Sequence, residues 1–157
     1  MTHPRVQVAA RLIGTWSGDG DGETPRPFHF ADSWEFVDAG KPFLWFVERT
    51  TRDGAPAHTE SGYLRFVDDD GGLEVVAALP TGQVEIGTGL ACQDGDDLVV
   101  TTDAEVHNTS TAKQVSRIVR RFRVTGDVLT YEMDMAWSGG PYERHLSSTL
   151  RRTGVSG

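Results

Sequence analysis

Histidine is the residue type in this chain with the clearest capacity for metal chemistry. The five histidines are His3, His29, His58, His107 and His145. No two of them are close enough in sequence to form a local chelate, there is no His-Glu-x-x-His pattern, and Cys92 is the only cysteine. This spacing argues against a structural or hydrolytic zinc site. The sequence also lacks Gly-x-Ser-x-Gly, so it offers no nucleophile elbow.

His145 has the most informative neighbours. It lies in a segment, 142–152, that reads as the last strand of the chain, and simple alternation places it on the same face as Ser147 and Thr149. Small side chains beside an imidazole leave room for a flat ligand. A hydrogen-bonded core or rim histidine has the same pattern, so the residues alone leave both interpretations open. His58, which is close to Glu60 at a strand entry, is interpreted as a turn or rim residue.

Basic residues cluster in two of the predicted strands. They are Arg117, Arg120, Arg121, Arg123, Arg144, Arg151 and Arg152. Alternation divides them between two faces, and we expect the outward ones to pair with carboxylates such as Glu132 and Asp134. Lys113 is one of only two lysines and precedes the eighth strand, where it could meet a carboxylate-bearing ligand.

These side chains must be positioned by strands, because extended stretches alternate with glycine-containing turns along almost the whole chain. The strand-and-turn reading gives roughly ten strands. They lie near 12–19, 28–37, 42–51, 59–68, 72–78, 82–91, 97–103, 114–124, 127–136 and 142–152. A short helical pattern occurs only at Arg5–Leu12, where Val8 and Leu12 share a face. Turn pairs such as Asp21-Gly22 and Gly126-Asp127 connect the strands.

Alternation of apolar and polar residues predicts an antiparallel sheet with one dry face. In the ninth strand the apolar face comprises Leu129, Tyr131, Met133, Met135 and Trp137. In the sixth strand Val84, Ile86, Thr88 and Leu90 oppose Gln83 and Glu85. Ten such strands remove their exposed edges by closing. We therefore predict an all-β, ten-stranded antiparallel up-and-down barrel with a short N-terminal helix, a cavity inside, and Trp16 plugging one end.

Length and charge narrow the possible functions. At 157 residues we expect a single domain over 1–157, with the barrel at about 12–152 and a tail at 153–157. The formal net charge of -8 argues against nucleic acid or a membrane surface as the main partner. A single cysteine and the lack of an apolar stretch after Met1 predict a reducing, cytoplasmic location. An exposed strand face could support a homodimer.

The Gly-rich run Gly14–Gly20 resembles the nitrobindin signature Gly-x-Trp-x-Gly-x-Gly. Later runs are similar to that family's blocks in their usual order. They are Arg26-Pro27-Phe28, Gly40–Leu44, His58–Arg65 and His145-Leu146. The resemblance extends from about Leu12 to Arg152 and implies a ten-stranded barrel that binds ferric haem b, reacts with nitric oxide and isomerises peroxynitrite to nitrate.

The resemblance also assigns roles to three residues. His145 would be the axial ligand of the iron of one haem b per chain, with its other ring nitrogen donating a hydrogen bond. Lys113 is similar to a family position near the haem. Thr24 is the nearest candidate for a threonine that contacts haem in the family, although its loop is shorter than usual. No side chain is required as a general acid or base.

Two other functions remain open at this point. A carrier of lipid, fatty acid or another small apolar ligand would need an inward Arg or Tyr pair to hold a carboxylate, for which Arg120 or Arg123 with Tyr131 are candidates. A nitric oxide sensor or carrier would use the same haem without turnover. The colour of the purified protein separates the lipid carrier from the haem proteins, and nitrate yield separates the isomerase from the sensor.

Overall fold

The computed structural model describes residues 1–23, 26–137 and 139–154. Ten antiparallel strands close into a barrel in the order β1-β10-β9-β8-β7-β6-β5-β4-β3-β2, which confirms the predicted architecture. The strands are β1 (Gly14–Gly22), β2 (Phe28–Asp38), β3 (Phe43–Arg52), β4 (Ala55–Phe66), β5 (Gly72–Leu79), β6 (Gln83–Asp94), β7 (Asp97–Asn108), β8 (Val115–Thr125), β9 (Val128–Trp137) and β10 (Tyr142–Gly154).

Each strand pairs with its neighbours in sequence, and β1 closes the barrel against β10, with Gly18 opposite Leu150. In this topology the connections β2–β3, β4–β5, β6–β7 and β8–β9 lie at one end of the barrel, which we call the closed end. The connections β1–β2, β3–β4, β5–β6, β7–β8 and β9–β10 lie at the other, which we call the open end.

An N-terminal helix (Pro4–Leu12) covers the closed end. It is a 3-10 helix, so the residues on its buried face are spaced by three: Val6, Ala9 and Leu12. The predicted pairing of Val8 with Leu12 assumed α-helical spacing, and Val8 is only partly buried. Trp16 is fully buried, and its Nε1 donates to the carbonyl of Leu12 at 2.9 Å, so it plugs this end as predicted. Among the described residues, no helix has the length and apolar character needed to cross a membrane.

Aromatic side chains fill the barrel above the helix. Trp34 lies 4.7 Å from Tyr131 and 5.0 Å from Phe122, measured between ring centroids, and Phe36 and Phe46 extend the cluster towards the closed end. Their offset and edge-on contacts are the arrangements that aromatic rings favour. This half of the barrel is therefore a packed core, and space for a ligand can lie only towards the open end.

The predicted inward face is correct for β9 and wrong for β6. Leu129, Tyr131 and Met133 are buried, as the alternation of β9 predicts. In β6, however, Glu85 is fully buried whereas Ile86 is 52% exposed. The polar face of β6 points inward because the Glu85 carboxylate binds a guanidinium inside the barrel.

Several strand boundaries also differ from the prediction. β1 runs to Gly22, so Asp21-Gly22 is part of a strand, with Asp21 opposite His29, and not a turn. β4, β6 and β7 are longer than predicted. Thr153 and Gly154, assigned from sequence to a tail, belong to β10, where the hydroxyl of Thr153 lies 3.1 Å from that of Thr15. The remainder of the predicted tail, 155–157, lies outside the described residues.

Candidate functional site

A cavity of about 820 Å³ opens at the open end of the barrel. This volume is within the range of about 300–1,000 Å³ that is typical of small-molecule and cofactor sites. Its apolar wall is formed mainly by Phe28, Phe30, Leu79, Val115, Ile118, Met133, Met135, Trp137 and Leu146. Polar side chains enter it at three places: one wall, the rim and the floor.

His145 lies on the cavity wall because of a β-bulge. Arg144 pairs with Asp134 and Leu146 pairs with Met133, so His145 is the extra residue on β10. A bulge re-aims one side chain and shifts the alternation of the strand beyond it. The face predicted for His145, shared with Ser147 and Thr149, is therefore wrong: after the bulge Ser148 is buried and Thr149 is exposed.

The surroundings of His145 are mainly aromatic. Its ring centroid is 6.3 Å from that of Phe28 and 6.1 Å from that of Trp137. The side chain is half-buried, and its backbone carbonyl accepts a hydrogen bond from the Glu23 amide at 2.9 Å. Burial lowers the pKa of His145, as does the neighbouring His58, while Glu60 opposes the shift. The imidazole is therefore neutral at pH 7 and can offer a nitrogen lone pair to a metal.

Two cationic side chains lie at the rim of the cavity. The Lys113 Nζ is 5.8 Å from the Trp137 ring centroid, and the Arg52 guanidinium lies over the Phe28 ring at 3.9 Å. Within the described ranges neither forms an ion pair, so both can receive an anionic group of a ligand. Lys113 was predicted at such a place, and Arg52 was not. Thr24, the third predicted site residue, lies outside the described residues.

Beneath the cavity lies a group of buried acids around one arginine, which we call the acidic floor: Asp32, Glu48, Glu60, Glu85 and Arg120. Of these, Glu48 and Glu60 line the cavity itself. Arg120 donates to both carboxylates Glu60 and Glu85, and its Nη1 lies 2.8 Å from the hydroxyl of Tyr131. Asp32 accepts hydrogen bonds from Ser148 at 2.6 Å and from the Trp34 indole at 3.2 Å. The floor thus separates the cavity from the aromatic core.

The four acids differ in how readily they ionise. Burial raises the pKa of Glu60, but the Arg120 charge and hydrogen bonds from His58 and Arg120 outweigh it and lower that pKa to about 2. Burial and the charges of Glu60 and Asp32 raise the pKa of Glu48 well above its usual value. Burial also raises the pKa of Asp32 and, despite Arg120, that of Glu85. Glu60 is thus the permanent carboxylate, and Glu48 retains a proton most strongly.

His58 connects the floor to the cavity. Its Nε2 lies 3.2 Å from Oε2 of Glu60, and 30% of its side chain is exposed, towards the cavity it lines. Because the ionised Glu60 can only accept, Nε2 carries the hydrogen of this contact. The sequence prediction of a turn or rim residue missed this contact. Glu48 and Glu60 lie at inward positions of β3 and β4, and two inward glutamates near His58 are the sequence signal that could have indicated this contact.

The prediction for the outward arginines is confirmed for those that pair with carboxylates: Arg117, Arg123, Arg144 and Arg152. Arg144 binds Asp134 and lies 3.2 Å from Glu132, and Arg123 binds Asp94 and Asp97 at 2.6 Å each. Of the arginines in β8, only Arg120 points into the barrel and is fully buried.

Comparison with known proteins places the chain among haem proteins. The family model described as THAP4-like, heme-binding beta-barrel domain matches residues 5–152. Peroxynitrite isomerase 2 of Mycobacterium marinum is 41% identical over 156 residues, covering 96% of each chain. Peroxynitrite isomerase 1 of Mycobacterium tuberculosis (strain H37Rv) is 38% identical over 157 residues, covering 95% of each chain.

A solved structure agrees with the fold. The crystal structure of Rv2717c from M. tuberculosis superposes with a TM-score of 0.92 at 35% sequence identity, covering 98% of this chain and 99% of that one. The nitrobindin resemblance read from the sequence is confirmed. The chain belongs to the family of THAP4-like, heme-binding beta-barrel domains.

Proposed function

We propose that this chain binds one ferric haem b through His145 and isomerises peroxynitrite to nitrate. The observation that carries the proposal is the bulge of β10, which places a neutral imidazole on the wall of an apolar cavity of about 820 Å³. A neutral histidine is a suitable axial ligand of haem iron. The names of the relatives, peroxynitrite isomerases, support the reaction.

The rest of the cavity fits a haem as well. Met133, Met135 and Ile118 offer apolar contact to the faces of a porphyrin. Lys113 and Arg52 lie at the rim, where the two propionates of a haem would emerge, and each can pair with one carboxylate. We also propose Thr24 as a contact of the haem edge, on the basis of the family resemblance.

A bound ferric haem would supply a Lewis-acidic iron, which can polarise an anionic oxidant without an electron donor. The chain contributes the rest. His145 would bind the iron, the apolar walls would exclude water, and the rim cations would hold the propionates. His58 donates from Nε2 to Glu60 and lines the cavity beside this contact.

The test is spectroscopic. We expect the full chain to develop a Soret band when haemin is added, and His145→Ala to lose most of the affinity and shift the band. His107→Ala removes an exposed histidine outside the cavity and is expected to bind haem like the parent. An unchanged spectrum and affinity in His145→Ala would refute the ligand assignment. Nitrate yield from peroxynitrite, compared with the haem-free chain, separates an isomerase from a nitric oxide carrier.

The lipid-carrier alternative loses its main support. An inward Arg and Tyr pair exists, Arg120 with Tyr131, whereas Arg123 points outward. However, the Arg120 guanidinium already binds Glu60 and Glu85, so its charge is compensated by the protein itself. A fatty-acid carboxylate would meet an acidic floor, which repels it.

A homodimer is part of the same proposal. Trp45, Tyr63, Val76 and Ile86 are consecutive cross-strand partners on the outside of β3 to β6, and all but Val76 are exposed. Two copies related by a two-fold axis could bury this apolar row against itself. Light scattering of the parent and of Ile86→Lys tests it: a dimeric parent and a monomeric variant are expected, and a monomeric parent would contradict the assignment.

A further inference from the structure

Three side chains of β3 and β4 bring metal-binding atoms together beside the proposed haem site. They are Glu48, His58 and Glu60, whose ligand atoms all lie within 4.8 Å of one another. All three line the cavity, so an ion can reach them from solvent. The 3.2 Å between Nε2 of His58 and Oε2 of Glu60 is close to the separation of about 3.3–3.4 Å between neighbouring ligands of a tetrahedral zinc ion.

The charges around these atoms favour a cation. Glu48 and Glu60 are directly opposite each other across β3 and β4, both inward and both buried. Two ionised carboxylates cannot stay so close without a positive charge between them, which either a proton or a bound cation can supply. Arg120 compensates Glu60 and Glu85 together, so Glu48 and Asp32 have no basic partner among the described residues.

Asp32 adds an independent observation. Its side chain is 3% exposed, and its Oδ1 has no hydrogen-bond donor in the described part of the chain. Its carboxyl group lies within hydrogen-bond reach of the Glu48 carboxyl group. A divalent cation bound at the three ligand atoms would compensate the negative charge that Asp32 and Glu48 share.

We propose that Glu48, His58 and Glu60 form a binding site for one divalent transition-metal ion, distinct from His145. One imidazole and two carboxylates, with a coordination position open to the cavity, suit Zn²⁺ and similar first-row ions. The other oxygen of Glu60 stays with Arg120, so the arginine orients this ligand. When the ion binds, the Nε2 hydrogen of His58 moves to Nδ1 and the proton of Glu48 passes to solvent. The Glu48 carboxylate then closes on the other two ligand atoms, which lie within 4.8 Å of it.

The experiment is a calorimetric titration of the chelator-treated full chain with ZnCl₂ alone. We expect one ion per chain in the parent and at least 10-fold weaker binding in Glu48→Gln and in His58→Gln. Glu48→Gln has the shape of the protonated acid, so its fold should be retained. His58→Gln provides the same test at a partly exposed position. Circular dichroism establishes that both variants are folded.

Two controls identify the ligands. His145→Ala keeps the three proposed ligands and is expected to bind Zn²⁺ with the parent affinity, as is His107→Gln, which changes an exposed residue on β7. Loss of Zn²⁺ binding in His145→Ala with normal binding in Glu48→Gln would overturn the proposal, as would the absence of a stoichiometric ion in the parent. Because no haem is present, the result is independent of the proposed isomerase activity.

Discussion

Replacing Arg120 by methionine is the most direct test of how the acidic floor stabilises the barrel. The guanidinium is 1% exposed and binds the carboxylates of Glu60 and Glu85. Methionine fills a similar volume without a charge, so the variant leaves two buried carboxylates without a counter-ion. Removing one partner of a buried ion pair costs about 3–5 kcal/mol, which is a large part of the roughly 5–15 kcal/mol that stabilises a domain.

The pH dependence gives a second estimate of the stability that Arg120→Met loses. In the parent, the folded-state pKa of Glu60 is about 2, below its ordinary 4.5, so its stabilisation is present above pH 4.5 and is lost as the pH falls towards 2. Without Arg120, burial raises the pKa of both Glu60 and Glu85. The destabilisation that results from burying these two groups is therefore absent below pH 4.5 and grows above it. At pH 7, each glutamate that stays protonated in the folded variant lowers the free energy of unfolding by up to about 3 kcal/mol, because the same group is ionised in the unfolded chain.

The assay is urea denaturation of the haem-free protein at pH 7 and pH 4.5. Tryptophan fluorescence is a suitable signal, because Trp34 packs on Tyr131 next to the floor. We expect Arg120→Met to lose about 3–6 kcal/mol at pH 7. The loss should be clearly smaller at pH 4.5, where the buried glutamates of the variant are protonated without penalty, although the parent still keeps the stabilisation of its ionised Glu60. Arg123→Met, whose ion pairs are on the surface, should change the midpoint far less at both pH values. An equal loss at both pH values would refute the reasoning.

Three further predictions test the fold, the rim and the floor. Gly18→Ala should lower the melting temperature by several degrees, because its Cβ would lie 2.0 Å from the carbonyl oxygen of Thr149. Gly140→Ala is the control: the nearest atom to a Cβ there is 3.4 Å away, so this variant should melt like the parent. Arg52→Gln should weaken haemin binding several-fold in an absorption titration without shifting the Soret band, and a full loss of binding would contradict a rim role. The raised pKa of Glu48 means that its contribution to stability fades as the pH rises above 4.5. Glu48→Gln should therefore become more stable relative to the parent between pH 5 and pH 8, measured by urea denaturation in the presence of chelator. A stability difference that does not change with pH would refute this.

The sequence predicted the barrel because the signals for strands and turns depend only on residues that are close together in the chain. Alternation in β9 and glycines in turns, such as Gly126 with its φ of 58°, depend only on neighbouring residues. Closure followed from the number of strands, and Trp16 was predicted to plug one end from the glycines around it. The 3-10 form of the helix was missed because its period was taken as α-helical.

The site was harder to predict because it depends on register and on distant partners. Placing His145 on the cavity wall needs the bulge between Arg144 and Leu146, and alternation alone gives the opposite face. The inward face of β6 was wrong because Glu85 pairs with Arg120, 35 residues away. A sequence shows that both residues exist but not that they meet.

Strand β9 shows how one barrel accommodates both a core and a cavity. From the closed end to the open end, its inward residues are Leu129 in the core, Tyr131 against the Arg120 guanidinium, Met133 and Met135 on the cavity wall, and Trp137 beside His145. The side chains below the floor are rigid and aromatic, whereas the two methionines above it can adapt to a ligand. Because the buried charges lie between these layers, a ligand can enter the upper half without disturbing the packing of the lower half. A floor of this kind therefore lets the closed end provide stability and leaves the open end free to bind.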